Sequence, residues 1–314
     1  MGAALALAER MRGATGVNPN VGCVVVRDGL VIGRGVTAAG GRPHAEAAAL
    51  AQAGDKSRGA TLYTTLEPCA HRSERGPTCV HLIVDAGVAG VVAALRDPDP
   101  RTDGGGFDVL RAAGIDVVEG VRQGDAERSI AGFLTRRAQG RPHVTLKLAL
   151  SLDGAAALGD GSSQWITGAP ARAHTHLERA RSTAILVGSG TEKADAPRRD
   201  VRLPGLEARS PLRYVLGSSN VSAGWVALRG LDELASVEGD WLLVEGGMGV
   251  AASFLRADLV DRLLIYRAPI IVGGGRTLGD IGLAGLGDAH RRWRLHDARM
   301  LGSDRLEVYD RGRE

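Results

Sequence analysis

One imidazole and two thiols stand in the first quarter of this sequence in an order that suits a metal. Pro43-His44-Ala45-Glu46, Glu67-Pro68-Cys69 and then Cys79 supply them. They are three soft ligands for a tetrahedral zinc, with the fourth position left open. Zinc in such a site lowers the pKa of a bound water to about 7, which provides hydroxide at neutral pH. Glu46 lies close to His44 and is not needed as a ligand. Its carboxylate is therefore placed to carry protons between that water and a departing amine. Each piece alone carries little. A His-x-Glu at a helix start is ordinarily a solvated first turn with its acid at the positive end of the dipole. Cysteines are more often buried small hydrophobes than ligands. The order of the pieces, each on a fitting element, is what points to metal chemistry.

Those groups need elements to hold them. Residues 59–66 read as a buried strand ending at Glu67-Pro68, so Cys69 falls just past a strand end. Cys79 opens an apolar helix running from Val80 to Ala86 and stopped by Gly87, where the dipole favours a thiolate. His44 starts a helix over 44–53. Upstream, 3–12 reads as a short amphipathic helix, and 23–27 and 30–36 as a hairpin turned at Asp28-Gly29. Downstream come a strand from Gly90 to Leu95 and a loop from Asp97 to Gly106, rich in Pro, Asp and Gly. A helix over 107–113, a strand over 115–118 and an arginine-rich amphipathic helix over 125–138 follow. This alternation predicts an α/β/α layered sheet.

Gln139-Gly140-Arg141-Pro142 marks a boundary, dividing the chain into 1–141 and 142–314. The second half opens with a strand from His143 to Leu150. Short apolar runs at 183–187, 213–216, 241–244 and 263–266 read as buried strands of one sheet, with helices at 169–181 and 249–257. Two glycine-rich turns stand out, Gly246-Gly247-Met248-Gly249 and Gly273-Gly274-Gly275. The first follows a strand and opens a helix, so its backbone N–H groups can cradle a phosphate or pyrophosphate. Such a turn is equally a packing feature.

The bulk numbers bound the rest. At 314 residues the chain has room for about two domains, and 44% hydrophobic with 24% charged residues describes an ordinary globular protein. A formal net charge of +3, scattered arginines and 4% aromatic residues argue against nucleic acid, which calls for basic runs and stacking platforms. With three cysteines, two of them assigned to metal, no disulfide framework forms; a reducing cytoplasm is expected. No apolar run approaches the ~20 residues that span a bilayer, and no signal peptide is read.

His-x-Glu, Pro-Cys and a further Cys is the order found in zinc-dependent base deaminases. Along nearly its whole length the chain resembles a more specific family, the bifunctional riboflavin-biosynthesis deaminase–reductases. The residues that carry this are Asn18-Pro19-Asn20-Val21-Gly22, Pro43 to Glu46, Thr65 to Cys69 and Asp97-Pro98-Asp99-Pro100 in the first half. In the second they are Lys147 to Gly154, Ser163-Gln164-Trp165-Ile166-Thr167 and Val244-Glu245-Gly246-Gly247. The resemblance implies a cytidine-deaminase-like α/β/α domain followed by a dihydrofolate-reductase-like α/β domain. It implies zinc-dependent hydrolysis of an amine from a diaminopyrimidinone bearing a phosphoribosylamino group, then reduction of the ribose to ribityl by NADPH. In the deaminase half it carries over Asn18, His71 and Arg75 as substrate contacts; nine residues separate Cys69 from Cys79, a loop long enough to close over a ribose phosphate. In the reductase half it carries over Ala149, Trp165, Thr191, Asp195, Ser218, Gly247, Met248 and Gly249 as NADPH contacts. Ser163, Arg179, Arg199, Arg202 and Glu245 are carried over as substrate contacts. A homo-oligomer acting on this small molecule, with no nucleic-acid or membrane partner, is the expectation. Two departures stand out: Asp195-Ala196-Pro197 where the family usually has Asp-Asp-Pro, and a short segment between Arg202 and Trp241. They keep open a second reading, an active deaminase with a catalytically weak reductase domain. A third makes the chain a zinc protein acting on nucleic acid.

Overall fold

The protein is described from a computed structural model, which covers residues 1–71, 76–190, 192, 200–217 and 221–313. The chain divides into two compact units, Met1–Ala138 and Gln139–Glu314.

In the first unit, five strands form a sheet in the order β2-β1-β3-β4-β5, with β1 Gly22–Arg27, β2 Leu30–Val36, β3 Thr61–Thr64, β4 Gly90–Ala93 and β5 Asp116–Val118. β1 and β2 are an antiparallel hairpin turned at Asp28-Gly29, both at positive φ, as a tight turn matched to strand twist requires. β1 also pairs antiparallel with β3, whereas β3, β4 and β5 run parallel. The helices are α1 Gly2–Glu9, α2 Ala45–Ala53, α3 Cys79–Ala86, α4 Gly105–Ala112, α5 Gln123–Ser129 and α6 Ala131–Gln139. Side chains alternate between sheet faces, and this places α1 and α2 on opposite sides. A Cβ on Gly22 would lie 1.9 Å from the Ala4 carbonyl of α1. One on Gly35, paired with the next residue of β1, would lie 1.9 Å from the Ala45 carbonyl of α2. Three layers result, and their core holds fully buried Leu62, Ile83 and Leu110. Burying side chains of this size is worth about 1.5–3 kcal/mol each.

The second unit carries eight strands in the order β12-β13-β11-β6-β10-β7-β8-β9. They are β6 His143–Leu150, β7 Ala184–Gly188, β8 Leu212–Leu216, β9 Trp225–Leu228, β10 Trp241–Val244, β11 Arg262–Arg267, β12 Trp293–Leu301 and β13 Asp304–Arg311. From β11 to β9 all neighbours are parallel; β13 and β12 close the sheet antiparallel. β6, β7 and β10 are almost wholly buried, as parallel strands covered on both faces must be. Its two long helices among the described residues are α7 Ala169–Ala180 and α8 Met248–Arg256. The start of β6 is pinned by Asp261, whose carboxylate accepts from the Val144 N–H at 2.8 Å and from both Arg141 amino groups at 2.6 and 3.0 Å.

Several boundaries differ from the sequence reading. The arginine-rich stretch is two helices, broken at Ile130, whose apolar side chain turns into the core at 1% exposure. The strand read over 59–66 pairs only over Thr61–Thr64. Strands β9, β12 and β13 had no counterpart. In β12 the apolar residues are mostly exposed and interleaved with Arg, His and Asp, so no apolar run announces the strand.

Candidate active sites

In the first unit the chemistry converges because α2 lies unusually close to β2. Gly33 and Gly35 present no side chains to it; a Cβ on Gly33 would meet the Ala49 carbonyl at 2.2 Å. The helix answers with alanines at 45 and 49. His44 is its N-cap residue, in extended conformation, and Glu46 lies in its first turn, 3% exposed. Cys69 follows the end of β3. Cys79 is the first residue of α3, behind an N-cap Thr78 whose hydroxyl accepts from the His81 N–H.

The three donor atoms lie within 4.8 Å of one another. His44 Nδ1 is 3.3 Å from Cys79 Sγ and 3.5 Å from Cys69 Sγ. Ligands on a tetrahedral zinc with the usual Zn–N and Zn–S bond lengths are separated by about 3.6 Å. Both the donor set and its spacing therefore fit zinc. Glu46 sits beside this set without joining it: Oε2 is 3.3 Å from Cys79 Sγ, and Oε1 accepts from the Thr64 hydroxyl at 3.2 Å. Burial raises the Glu46 carboxyl above its ordinary range. A hydrogen bond from the Cys79 thiol, aided by His44 and the Cys79 N–H, holds the Cys69 thiol down to about 4, and the same contact pushes Cys79 up. Cys23 is buried in β1 and outside the cluster.

Glu67 fixes the ligand-bearing strand end. Its buried carboxylate accepts four backbone N–H groups, from Asp97 (3.1 Å), Gly104 (3.0 Å), Gly106 (2.9 Å) and Phe107 (3.3 Å). The loop that brings Asp97 and Asp99 to the site is thereby tied to the residue just before Pro68-Cys69.

A cavity of about 280 Å³ opens over His44, Glu46 and Cys69. Asn18 and His71 line it, as do Arg42, Arg101 and Arg137, which the sequence reading did not single out. Asn18 donates to the Thr15 carbonyl at 3.3 Å, and His71 Nδ1 is 3.2 Å from the Thr102 hydroxyl. Arg75 lies outside the described residues.

In the second unit three of the singled-out residues lie where parallel strands end, the usual place for ligands in α/β sheets. Ala149 is near the end of β6, and Glu245 and Gly247 follow β10. Gly247 is the N-cap of α8 and offers no side-chain cap, so the first N–H groups of that helix remain available. Space beside Gly249 is open for 4 Å. A turn of this kind fits the phosphates of NADPH. Arg179 and Glu245 pair with each other in a buried two-pronged contact, Nε–Oε1 2.7 Å and NH2–Oε2 2.8 Å. Arg179 also donates to the Asp200 carbonyl at 3.2 Å, and the Arg202 N–H reaches His176 Nδ1 at 3.2 Å. Arg179, Arg202 and Glu245 are thus one cluster around His176. Trp165 is 66% exposed, with the Arg172 guanidinium 4.9 Å from its ring centre; Ser163 is exposed. Met248 opens α8. Thr191, Asp195, Ala196, Pro197, Arg199 and Ser218 lie outside the described residues. The other glycine turn is occupied from within: Val272 and Gly273 donate their N–H groups to Asp153, at 3.1 and 2.8 Å.

The fold and the two sites define a zinc-dependent deaminase joined to a reductase that uses NADPH. Residues 1–95 match the cytidine and deoxycytidylate deaminase zinc-binding region, and residues 142–306 match the RibD C-terminal domain. The chain belongs to the RibD family of riboflavin biosynthesis proteins. It is 38% identical to the riboflavin biosynthesis protein RibD of Escherichia coli K12, with 97% of this chain and 96% of that protein covered. The solved structure of Acinetobacter baumannii RibD is 33% identical, with a TM-score of 0.87 and coverage of 99% and 98%. A Thermotoga maritima structure described as a diaminohydroxyphosphoribosylaminopyrimidine deaminase/5-amino-6-(5-phosphoribosylamino)uracil reductase is 32% identical, again with a TM-score of 0.87, over 99% and 97%.

Proposed function

We propose that the first unit hydrolyses the amine from 2,5-diamino-6-(5-phosphoribosylamino)pyrimidin-4(3H)-one, and that the second reduces the ribose of the product to ribityl with NADPH. The observation that carries the first step is the buried Glu46 carboxylate beside three donor atoms spaced for zinc, on the floor of a cavity. His44, Cys69 and Cys79 hold the metal, which when bound supplies the Lewis acidity that makes water nucleophilic near neutral pH. Glu46 Oε2 takes a proton from the attacking water and passes it to the ring nitrogen, then carries the remaining hydroxyl proton to the departing amine; ammonia leaves and a ring carbonyl remains. The Thr64 hydroxyl keeps the other oxygen from turning away. Asn18 and His71, on the cavity wall, contact the substrate.

For the second step, the strand ends at Ala149 and Glu245 and the Gly247-Met248-Gly249 turn hold NADPH so that its hydride reaches the ribose carbon. The Arg179–Glu245 pair and Arg202 face the sugar phosphate, where guanidinium groups match phosphate geometry. The three cysteines stand unpaired, which suits a reducing cytoplasm. Among the described residues no helix is long and apolar enough to cross a membrane. The decisive experiment supplies the diaminopyrimidinone phosphate with and without NADPH and identifies products by mass. Deaminated product without NADPH and ribityl product with it are expected. Deamination with no NADPH oxidation would leave the second unit a scaffold without its chemistry.

A further inference from the structure

Arg42, Arg101 and Arg137 come from three separate parts of the first unit and line the same cavity as His44 and Glu46. Asp99 organises two of them. It is 4% exposed, and Arg101 grips it with Nε at 2.9 Å and NH2 at 2.5 Å. Arg137, reaching over from α6, adds an NH2 contact at 2.9 Å. Two cations on one carboxylate leave a positive charge in excess. They also leave Arg101 NH1 and Arg137 Nε and NH1 without a hydrogen bond among the described residues. Arg42 Nε is buried with no partner among the described residues. A desolvated donor left unpaired is uncommon in a folded protein and calls for an acceptor.

We infer that Arg101 and Arg137, fixed as a pair on Asp99, form with Arg42 the anion-binding end of the deaminase cavity and take the phosphate of the substrate. The inference rests on the deaminase reading of that cavity. Surface ion pairs are usually worth little, but this one is built on a buried acid and lines the cavity. A phosphate monoester brings about 1.5–2 negative charges at neutral pH and several acceptor oxygens, which the open donors of Arg42, Arg101 and Arg137 can meet with charge-assisted hydrogen bonds. The other acids on the wall are engaged by other donors. Glu67 accepts four backbone N–H groups, Glu46 the Thr64 hydroxyl, and Asp97 the Asp99 N–H at 2.9 Å.

The test is deamination in the absence of NADPH, measured on the phosphorylated substrate and on its dephosphorylated counterpart. The quantity read is the ratio of kcat/KM for the two compounds, in which changes of folding or zinc content cancel. The parent is expected to prefer the phosphorylated compound. In Arg101→Gln/Arg137→Gln that ratio should fall about ten- to a hundredfold, the loss expected for charge-assisted contacts. Arg101 is 60% exposed, so the single Arg101→Gln variant carries the test if the double variant does not fold. Arg96→Gln, whose guanidinium pairs with Asp103 instead, should keep the parental ratio. A parental ratio in the arginine variants, or a parent indifferent to the phosphate, overturns the inference. A parent that deaminates neither compound overturns the deaminase reading, and the subsite with it.

Discussion

Glu46 is held on one side by a hydroxyl and flanked on the other by a sulfur, so its shape can be kept while its proton chemistry is removed. Glu46→Gln should retain zinc by elemental analysis and lose deamination by ~10²–10⁴-fold, the usual weight of a general acid–base group. Activity within a few-fold of the parent would reduce Glu46 to a helix-start acid. Cys69→Ser/Cys79→Ser should abolish zinc binding, whereas Cys23→Ser, in β1 and outside the cluster, should leave the zinc content unchanged. The cluster could be read from sequence because imidazole and thiol carry their chemistry in their type, and spacing supplies the rest. Arg101 and Arg137 could not. An arginine is ordinarily a solvated surface group, and only the fold brings Asp99 and α6 together. Arg179 and Glu245 show the opposite case: both were singled out, but nothing in their spacing says that they bind each other.

β6 is the strand on which the second sheet is centred, and its entry is secured by ion pairing. Burial alone would raise the Asp261 carboxyl, but Arg141, His143 and Arg313 outweigh it and hold it down to about 2. An acid depressed on folding stabilises fully above its unfolded pKa, near 3.9, and loses that contribution as pH falls toward the folded value. Denaturation at a series of pH values should therefore show about 2–3 kcal/mol lost between roughly pH 4 and pH 2. Arg141→Gln should flatten that slope and lower stability at neutral pH. In the first unit, Gly35→Ala should force α2 off β2, because the new Cβ would lie 1.9 Å from a carbonyl that cannot move alone. Overpacking of this kind costs about 1–3 kcal/mol; a lower Tm and faster zinc loss to a chelator are the expected readouts. Elements with continuous apolar runs, β6 and β10 among them, had the bounds their sequence indicates. β12 and β13 did not, since half-exposed strands rich in charge are set by pairing rather than by burial.

Each unit has its own apolar core, Leu62 and Ile83 in one and Leu146 and Val244 in the other, so the two chemistries should separate. Glu46→Gln should still oxidise NADPH when given the already deaminated substrate. Arg202→Ala should still deaminate, while its reduction slows about ten- to a hundredfold for want of a phosphate contact. Residues 1–138 expressed alone should fold and bind one zinc; failure to do so would mean that the first core is incomplete without the second unit. The two compact units divide between Ala138 and Gln139, beside the Gln139-Gly140-Arg141-Pro142 segment at which the sequence changes texture. The eight-strand breadth of the second sheet was not legible, because β9 is only four residues long and β12 and β13 interleave their apolar residues with charged ones.

The seam of Gly33 and Gly35 against α2 has a consequence for how this sequence can vary. Neither residue has a functional group, and neither lines the cavity, yet together they decide where His44 and Glu46 stand. Among descendants of this chain, replacements there should be disfavoured, although they change no catalytic atom. A catalogue of tolerated changes would then mark as catalytic two positions whose contribution is an absence of atoms.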